Sequence, residues 1–184
     1  MARVEIQFGG FGGQGIILAG LILGRALSLY DNKEAVFTQS YGPEARGGAA
    51  SSGVVMDDEG VDYPYVESPD IFIVMSSHAY STYIDRVKPG ATIIYDCDLV
   101  SLDDRVPDGA KLYPINATKL AERLGNRIVA NIIMLGYFTR ITGIVSYDSM
   151  VRSVSEMVPP KAKELNLRAF DVGYNYEREA GGEA

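Results

Sequence analysis

Residues 9–15, Gly-Gly-Phe-Gly-Gly-Gln-Gly, constrain the fold more than any other stretch of the chain. They follow an alternating run, residues 4–8, that reads as a short strand. They precede an apolar run, residues 16–29, that reads as a helix stopped at Asp31-Asn32. So many glycines between strand and helix mark a tight turn, where the backbone takes conformations closed to other residues. Within the turn, Gly10-Phe11-Gly12-Gly13-Gln14-Gly15 satisfies G-x-G-x-x-G in the strand–turn–helix context that gives the pattern its meaning. With a second strand at 35–38, this is the opening of a doubly wound sheet.

The remaining pattern predicts an α/β chain: a single three-layer Rossmann-like domain over residues 1–184, with a mostly parallel sheet and one hairpin excursion. Residues 71–75 and 92–95 are apolar throughout, as strands buried on both faces are, and 111–115 form another short strand. Residues 53–56 and 61–65 flank Asp57-Asp58-Glu59-Gly60 and read as the hairpin. Helices are expected at 79–87, 118–124 with Gly125 as the stop, 129–141, 147–158, and from Pro160 to about Tyr176. Residues 177–184 read as a frayed tail.

Composition excludes several classes of function. The net charge of −7, with no cluster of Lys and Arg, argues against a nucleic-acid partner. Cys97 is the only cysteine, so there is no internal disulfide and no self-contained iron–sulfur cluster, which takes four thiolates. With His78 the only histidine, a zinc site is excluded in practice. No signal peptide precedes residue 4, and the longest apolar runs, 16–23 and 128–138, fall short of the roughly 20 residues of a membrane span. The cytoplasm is the expected location.

The glycine turn offers unpaired N–H groups and a partial positive charge at a helix start, which suits an anion. The acid that holds a ribose at the end of the second strand is missing. That end reads Thr38-Gln39-Ser40, and Asp31 and Glu34 lie before the strand. The pattern therefore points away from NAD or FAD and toward another anionic group, such as a nucleotide or coenzyme A phosphate. The alternative is that the glycines only let helix and strand pack closely. Residues 41–53 read as an irregular loop rich in small side chains. In it Arg46 is placed to fork onto a carboxylate or phosphate, or simply to pair with Glu44.

Two helices lack a wet face. In residues 15–29 only Arg25 and Ser28 are clearly polar, with Ala19, Gly20 and Gly24 allowing close approach; in 129–141 the main polar residues are Asn131, Thr139 and Arg140. Contact with another subunit is the expected cover, with burial inside the chain's own sandwich as the alternative. His78 reads as a helix-start or interface residue, since no G-x-S-x-G or other nucleophile motif accompanies it. Cys97, between Asp96 and Asp98, reads as a small buried residue, and the two acids as caps. Tyr63 and Tyr65 are expected on one strand, packed against a partner.

Residues 9–20, Gly-Gly-Phe-Gly-Gly-Gln-Gly-Ile-Ile-Leu-Ala-Gly, resemble the opening of the gamma subunit of 2-oxoacid:ferredoxin oxidoreductases. Residues 38–48, Thr-Gln-Ser-Tyr-Gly-Pro-Glu-Ala-Arg-Gly-Gly, are similar to that family's second signature. Asp62-Tyr63-Pro64, Pro69-Asp70, Asn126-Arg127-Ile128-Val129-Ala130-Asn131 and Gly143-Ile144-Val145-Ser146 match in order, so the resemblance covers nearly the whole chain. It is strongest to the 2-oxoglutarate type, with the branched-chain and pyruvate types behind. The resemblance implies a subunit inactive alone, in a complex that oxidatively decarboxylates a 2-oxoacid to its acyl-CoA and reduces ferredoxin. It implies alpha, beta and delta-type partner subunits and ferredoxin as an indirect partner; the two apolar helices add the expectation that the isolated chain self-associates. It also implies that thiamine diphosphate, magnesium and iron–sulfur clusters sit in other subunits. Gly10, Gly12, Gly13, Gln14, Gly15, Tyr41, Glu44 and Arg46 are the candidates for a wall of the coenzyme A or active-site region. A stand-alone nucleotide-binding protein and an assembly-only scaffold are the competing readings.

Overall fold

Ile6 and Phe8 enter one apolar cluster while Glu5 and Gln7 face the other way, the period-2 alternation of a strand with two different faces. That strand, β1 (Val4–Phe11), is the third of six in the computed structural model, which describes residues 3–41 and 49–177. The others are β2 (Ala35–Tyr41), β3 (Ala49–Met56), β4 (Ile71–Val74), β5 (Thr92–Asp96) and β6 (Lys111–Ile115). The order is β2-β3-β1-β4-β5-β6. From β1 through β6 the pairing is parallel, whereas β3 runs antiparallel to both of its neighbours. The helices are α1 (Ile16–Arg25), extended by a π-helical turn at Ala26–Tyr30, α2 (Ser77–Tyr83), α3 (Ala117–Arg123), α4 (Ala130–Thr142), α5 (Tyr147–Met157) and α6 (Lys163–Tyr174). Among the described residues, no helix is long and apolar enough to cross a membrane.

The hairpin excursion exists but not where the sequence placed it. It is β2–β3, with Thr38 opposite Gly53. Residues 61–65 form no strand. The reason is geometric: β2 and β1 occupy both edges of β3, so residues 61–65 cannot pair with the strand they were expected to join. They run instead as an irregular cover, held by main-chain bonds. Arg3 donates to the carbonyls of Tyr63 and Tyr65 at 2.8 and 3.1 Å, and the Glu5 carboxylate accepts from the N–H groups of Glu67 and Ser68 at 2.8 and 2.9 Å. Residues 49–53, expected in a loop, are the first half of β3. Their small side chains admit α1: Ser52 Oγ donates to the Ile16 carbonyl at 2.7 Å, and Gly20 lies against Ser52 and Phe37.

The helix expected to need a partner is covered by its own chain. Every residue of α4 from Ala130 to Thr139 is buried. Phe138 approaches Phe8 of β1, and α6 crosses α4 at two glycines. A Cβ at Gly136 would fall on the Phe170 carbonyl oxygen, and one at Gly173 on the Ile133 carbonyl oxygen. The backbones touch there, which removes any room for a side chain. α1 is only partly covered, with Leu21 and Leu29 exposed. Cys97 is exposed rather than buried, because it sits in the turn after β5 while its neighbour Asp96 takes the interior position.

Gly173→Ala is expected to lower the free energy of unfolding by about 3 kcal/mol or more, since carbonyl backbone cannot yield as a side chain would. Chemical denaturation reads this, and an unchanged midpoint would show that the helices do not cross so closely. Glu5 yields a pH prediction. Burial alone would raise its carboxyl pKa, but the N–H groups of Ser68 and Glu67 and the Arg3 guanidinium outweigh that and hold it below its ordinary 4.5. A lowered pKa means stability present above that value and lost as pH falls through the folded one. The Glu67 and Ser68 amide resonances should therefore move together on acidification, with a midpoint below 4.5. A midpoint above it would remove the assigned bonds.

Candidate functional site

The carboxyl ends of β1, β2, β4 and β5 face the same way, and the glycine turn rises from the first of them. In open α/β sheets ligands bind outside this end, where neighbouring crossovers diverge. Gly10 is still in β1, opposite Ala50, and Ala50 is in turn opposite Tyr41 at the end of β2. Gly10, Ala50 and Tyr41 thus form one row across three strands, with about 10 Å between the outer two at ordinary strand spacing. The chain leaves that row after Tyr41 and returns at Ala49, which is opposite Phe11. The structure therefore brings together the glycine turn and both ends of the signature loop, which the sequence holds far apart. Glu44 and Arg46 lie outside the described residues.

Gln14 holds the turn shut. Its Oε1 accepts from the Phe11 N–H at 2.7 Å, and its Nε2 donates to the Met75 carbonyl at 2.9 Å, just beyond β4. Its own N–H donates to the Phe11 carbonyl at 3.1 Å. Gly12 and Gly13 are exposed at the tip. Gly15 is the N-cap of α1, left-handed at φ 72°, and no side chain caps the helix. Its carbonyl accepts from Asn131 Nδ2 at 3.1 Å, and a Cβ on Gly15 would overlap that nitrogen. Asn131, counted in the sequence only as a polar residue on an apolar helix, thus couples α4 to the turn.

Two depressions flank the turn. The larger, about 790 Å³, runs along Ile16, Ile17, Leu18 and Leu21 to Ile128 and Pro159, and is mainly apolar. The first N–H groups of α1, which have no partner within a helix, lie along it. The smaller, about 240 Å³, lies between Gly13, Gln14, Met75, Thr118 and Arg127. Arg127 was not singled out from sequence. Its signal there was the Asn126-Arg127 pair before the apolar helix, where Asn126 caps the turn by accepting from Ile128 N–H at 3.1 Å. Arg127 stands 4.0 Å from Glu122.

The residues weighed as catalytic have structural partners. His78 is in the first turn of α2, its ring parallel to that of Phe11 at 6.2 Å. Asp96 is fully buried; burial pushes its carboxyl pKa up, against bonds from Thr118 Oγ1 at 2.6 Å and Thr118 N–H at 2.9 Å. It ties α3 to β5, and Asp98 binds Asn116 and Lys119 beside it. Tyr63 and Tyr65 meet edge to face at 5.6 Å, on the irregular cover rather than on a strand. Among the described residues no three of His, Cys, Asp and Glu converge as a metal site would require.

Fold and site together define a Rossmann-like domain with an anion-suited glycine turn, no ribose acid, and a half-open apolar cleft. Residues 5–176 match the family model of pyruvate ferredoxin/flavodoxin oxidoreductase, and the chain belongs to that family. It is 53% identical over 178 residues to the 2-oxoglutarate synthase subunit KorC of Methanocaldococcus jannaschii, covering 96% of this chain and 95% of that one. Its fold is similar to the crystal structure of the keto/oxoacid ferredoxin oxidoreductase gamma subunit of Geobacter sulfurreducens, with TM-score 0.82, 39% identity, and 93% and 96% of the two chains covered. It is also similar to part of 2-oxoglutarate:ferredoxin oxidoreductase from Magnetococcus marinus, a structure with 2-oxoglutarate, coenzyme A and succinyl-CoA bound. There the TM-score is 0.84 at 25% identity, with 94% of this chain and 30% of that chain covered.

Gly15→Ala adds the left-handed penalty of about 1–2 kcal/mol to the overlap with Asn131. Asn131→Ala removes the overlap but not the penalty. In a double-mutant cycle, Asn131→Ala should therefore cost less in the Gly15→Ala background than in the wild type, by about 1 kcal/mol. Simple additivity of the two costs would show that the groups do not touch.

Proposed function

We propose that this chain is the gamma-type subunit of a 2-oxoacid:ferredoxin oxidoreductase of the 2-oxoglutarate type. The observation that carries the reading is the 53% identity with a 2-oxoglutarate synthase subunit along almost the full length of both chains. The complex would oxidatively decarboxylate 2-oxoglutarate, form succinyl-CoA and reduce ferredoxin, with alpha, beta and delta-type subunits as partners.

The donor set of this chain does not fit the redox groups of such a complex. One cysteine cannot supply the four thiolates of a cluster, so iron–sulfur clusters belong to other subunits in this reading. Thiamine diphosphate with magnesium is assigned there too, since a magnesium site calls for converging oxygen donors. Coenzyme A fits better. The uncapped start of α1 and Arg127 suit phosphate, and the apolar cleft along Ile17 and Leu18 suits a thin flexible arm and excludes water. Tyr41 and the Gly10–Gly15 turn would form the wall, and Glu44 and Arg46, on the segment rooted beside them, would complete it. This chain would hold and orient a substrate whose chemistry happens on another subunit.

The test is anaerobic purification of the tagged chain from its native host, followed by assay of coenzyme A-dependent 2-oxoacid oxidation with a ferredoxin-like acceptor. Larger partners should co-elute, and activity should appear only with them and favour 2-oxoglutarate. A chain that elutes alone and inactive is the contrary result. Within an assembled complex, Arg46→Ala should raise the apparent KM for coenzyme A about tenfold, the scale of one charge-assisted bond. An unchanged KM would leave the subunit reading standing and reduce the segment to assembly.

A further inference from the structure

β2 and β6 are the two edges of the sheet, and the chain treats them differently. Backbone groups alternate sides along a strand, so the bonds already made fix where the others point. The Glu5 and Gly9 carbonyls accept from the N–H groups of Asp70 and Met75, on the β4 side of β1. Ile6 and Phe8 therefore bond toward β3, where Val54 and Ser52 stand opposite them. That leaves Gly53 to bond toward β2, where it meets Thr38. The Asp57 N–H donating to the Glu34 carbonyl keeps the same alternation. The N–H and C=O groups of Ala35, Phe37 and Gln39 consequently point away from the sheet. The Ala35 carbonyl is met by Ser28 Oγ at 3.1 Å. Among the described residues, nothing bonds to the outward groups of Phe37 and Gln39. On β6 the Lys111 N–H donates to the Ala91 carbonyl and the Ile115 carbonyl accepts from Cys97, so Leu112 and Pro114 are the outward residues. Pro114 has no N–H to offer, and exposed Lys111 places a charge on that edge. β2 has neither device. Ala35–Tyr41 holds no charged residue and no proline, and its register runs without a bulge. An edge left in this state is a template for another strand.

We propose that β2 pairs antiparallel with β2 of a second copy of this chain, about a twofold axis at Thr38, so that two sheets become one. A twofold contact must satisfy the same groups on both copies. With the Ala35 carbonyl already taken, the free groups are those of Phe37 and Gln39. An axis at Thr38 lets Phe37 of each copy exchange both bonds with Gln39 of the other. Thr38 then faces its own counterpart in the closer, non-bonded pair, where two threonines interact favourably. The absence of charge along β2 lets identical strands meet without like charges opposite one another. α1 extends the contact. Gly20 and Gly24 rest against Phe37, and Ser28 reaches the outer edge of β2. Leu21 is two turns before Ser28 on that flank and is 37% exposed.

The experiment is analytical ultracentrifugation of the purified full-length chain across a concentration series, with Gln39→Pro and Thr38→Lys as variants, and amide hydrogen exchange on the wild type. The wild type should be a dimer that dissociates on dilution. In the dimer the Phe37 and Gln39 amides should exchange about tenfold more slowly than after dilution, whereas Thr38 and Ser40, bonded within the sheet, should be slow in both. Gln39→Pro gives β2 the device that β6 already has. It removes an outward N–H that no described group uses, so it should melt with the wild type yet stay monomeric. Thr38→Lys sets like charges opposite each other across the axis and should also be monomeric, which decides the question if the proline variant does not fold. The proposal is overturned if the wild type is a monomer at millimolar concentration, which would leave the edge to a strand of some other subunit. It is equally overturned if either folded variant dimerises like the wild type, or if the Phe37 and Gln39 amides exchange as fast in the dimer as in the monomer, since the copies would then meet through another surface.

Discussion

The bond from Asn131 to the Gly15 carbonyl joins the two parts on which everything else depends. Gly15 is where the chain turns from the central strand into α1, and Asn131 is in the first turn of the helix at the centre of the helical layer. The place of Asn131 is itself fixed further along α4, where Gly136 and Gly173 bring two backbones into contact. The glycine turn is therefore held from behind by a helix crossing that touches no candidate ligand residue. Without that crossing the amide would have no fixed position from which to meet the turn.

Carboxylates do comparable work elsewhere, each standing in for a backbone partner at the end of an element. Glu5 accepts from two N–H groups of the segment that covers β1. Asp31, past the end of α1, accepts from the N–H and hydroxyl of Ser146 and from the Ser149 hydroxyl, tying α5 to the π-helical turn. Burial works against that carboxylate too, and its bonds more than compensate, so its pKa is lowered. Asp96 differs. Its burial is complete, and desolvation wins although three bonds oppose it. The neighbouring charges also differ: Glu5 and Asp31 have a cation beside them, Arg3 and Lys33, whereas the charge beside Asp96 is that of Asp98, which adds to the desolvation.

What the sequence made legible was whatever depends on neighbours along the chain. The strand–glycine–helix opening, the buried runs at β4 and β5 and the helix order were all readable, because period and punctuation are local signals. The failures came where distant parts decide. Residues 61–65 alternate like a strand, yet a strand also needs a free edge, and β3 had none. The small residues at 49–53 look like a loop until α1 is placed against them. Both apolar helices asked for cover, but only the fold shows that α4 finds it at home while α1 keeps Leu21 in the open. The row from Gly10 through Ala50 to Tyr41 is a fact of register, invisible before the strands are paired.

The same register accounts for the missing ribose acid. In a doubly wound sheet the second strand normally lies beside the first, so its terminal acid reaches a ligand on the glycine turn. Here the β2–β3 hairpin inserts an antiparallel strand between them and moves the end of β2 out by one strand spacing. An acid at that position would no longer sit over the turn. The hairpin instead sets Tyr41, at the end of β2, and Ala49, at the start of β3, beside the row of Gly10 and Phe11. The departure from the dinucleotide pattern at Thr38-Gln39-Ser40 and the antiparallel hairpin are thus one structural change: the end of β2 lies one strand further from the turn, beyond the reach of a ribose acid.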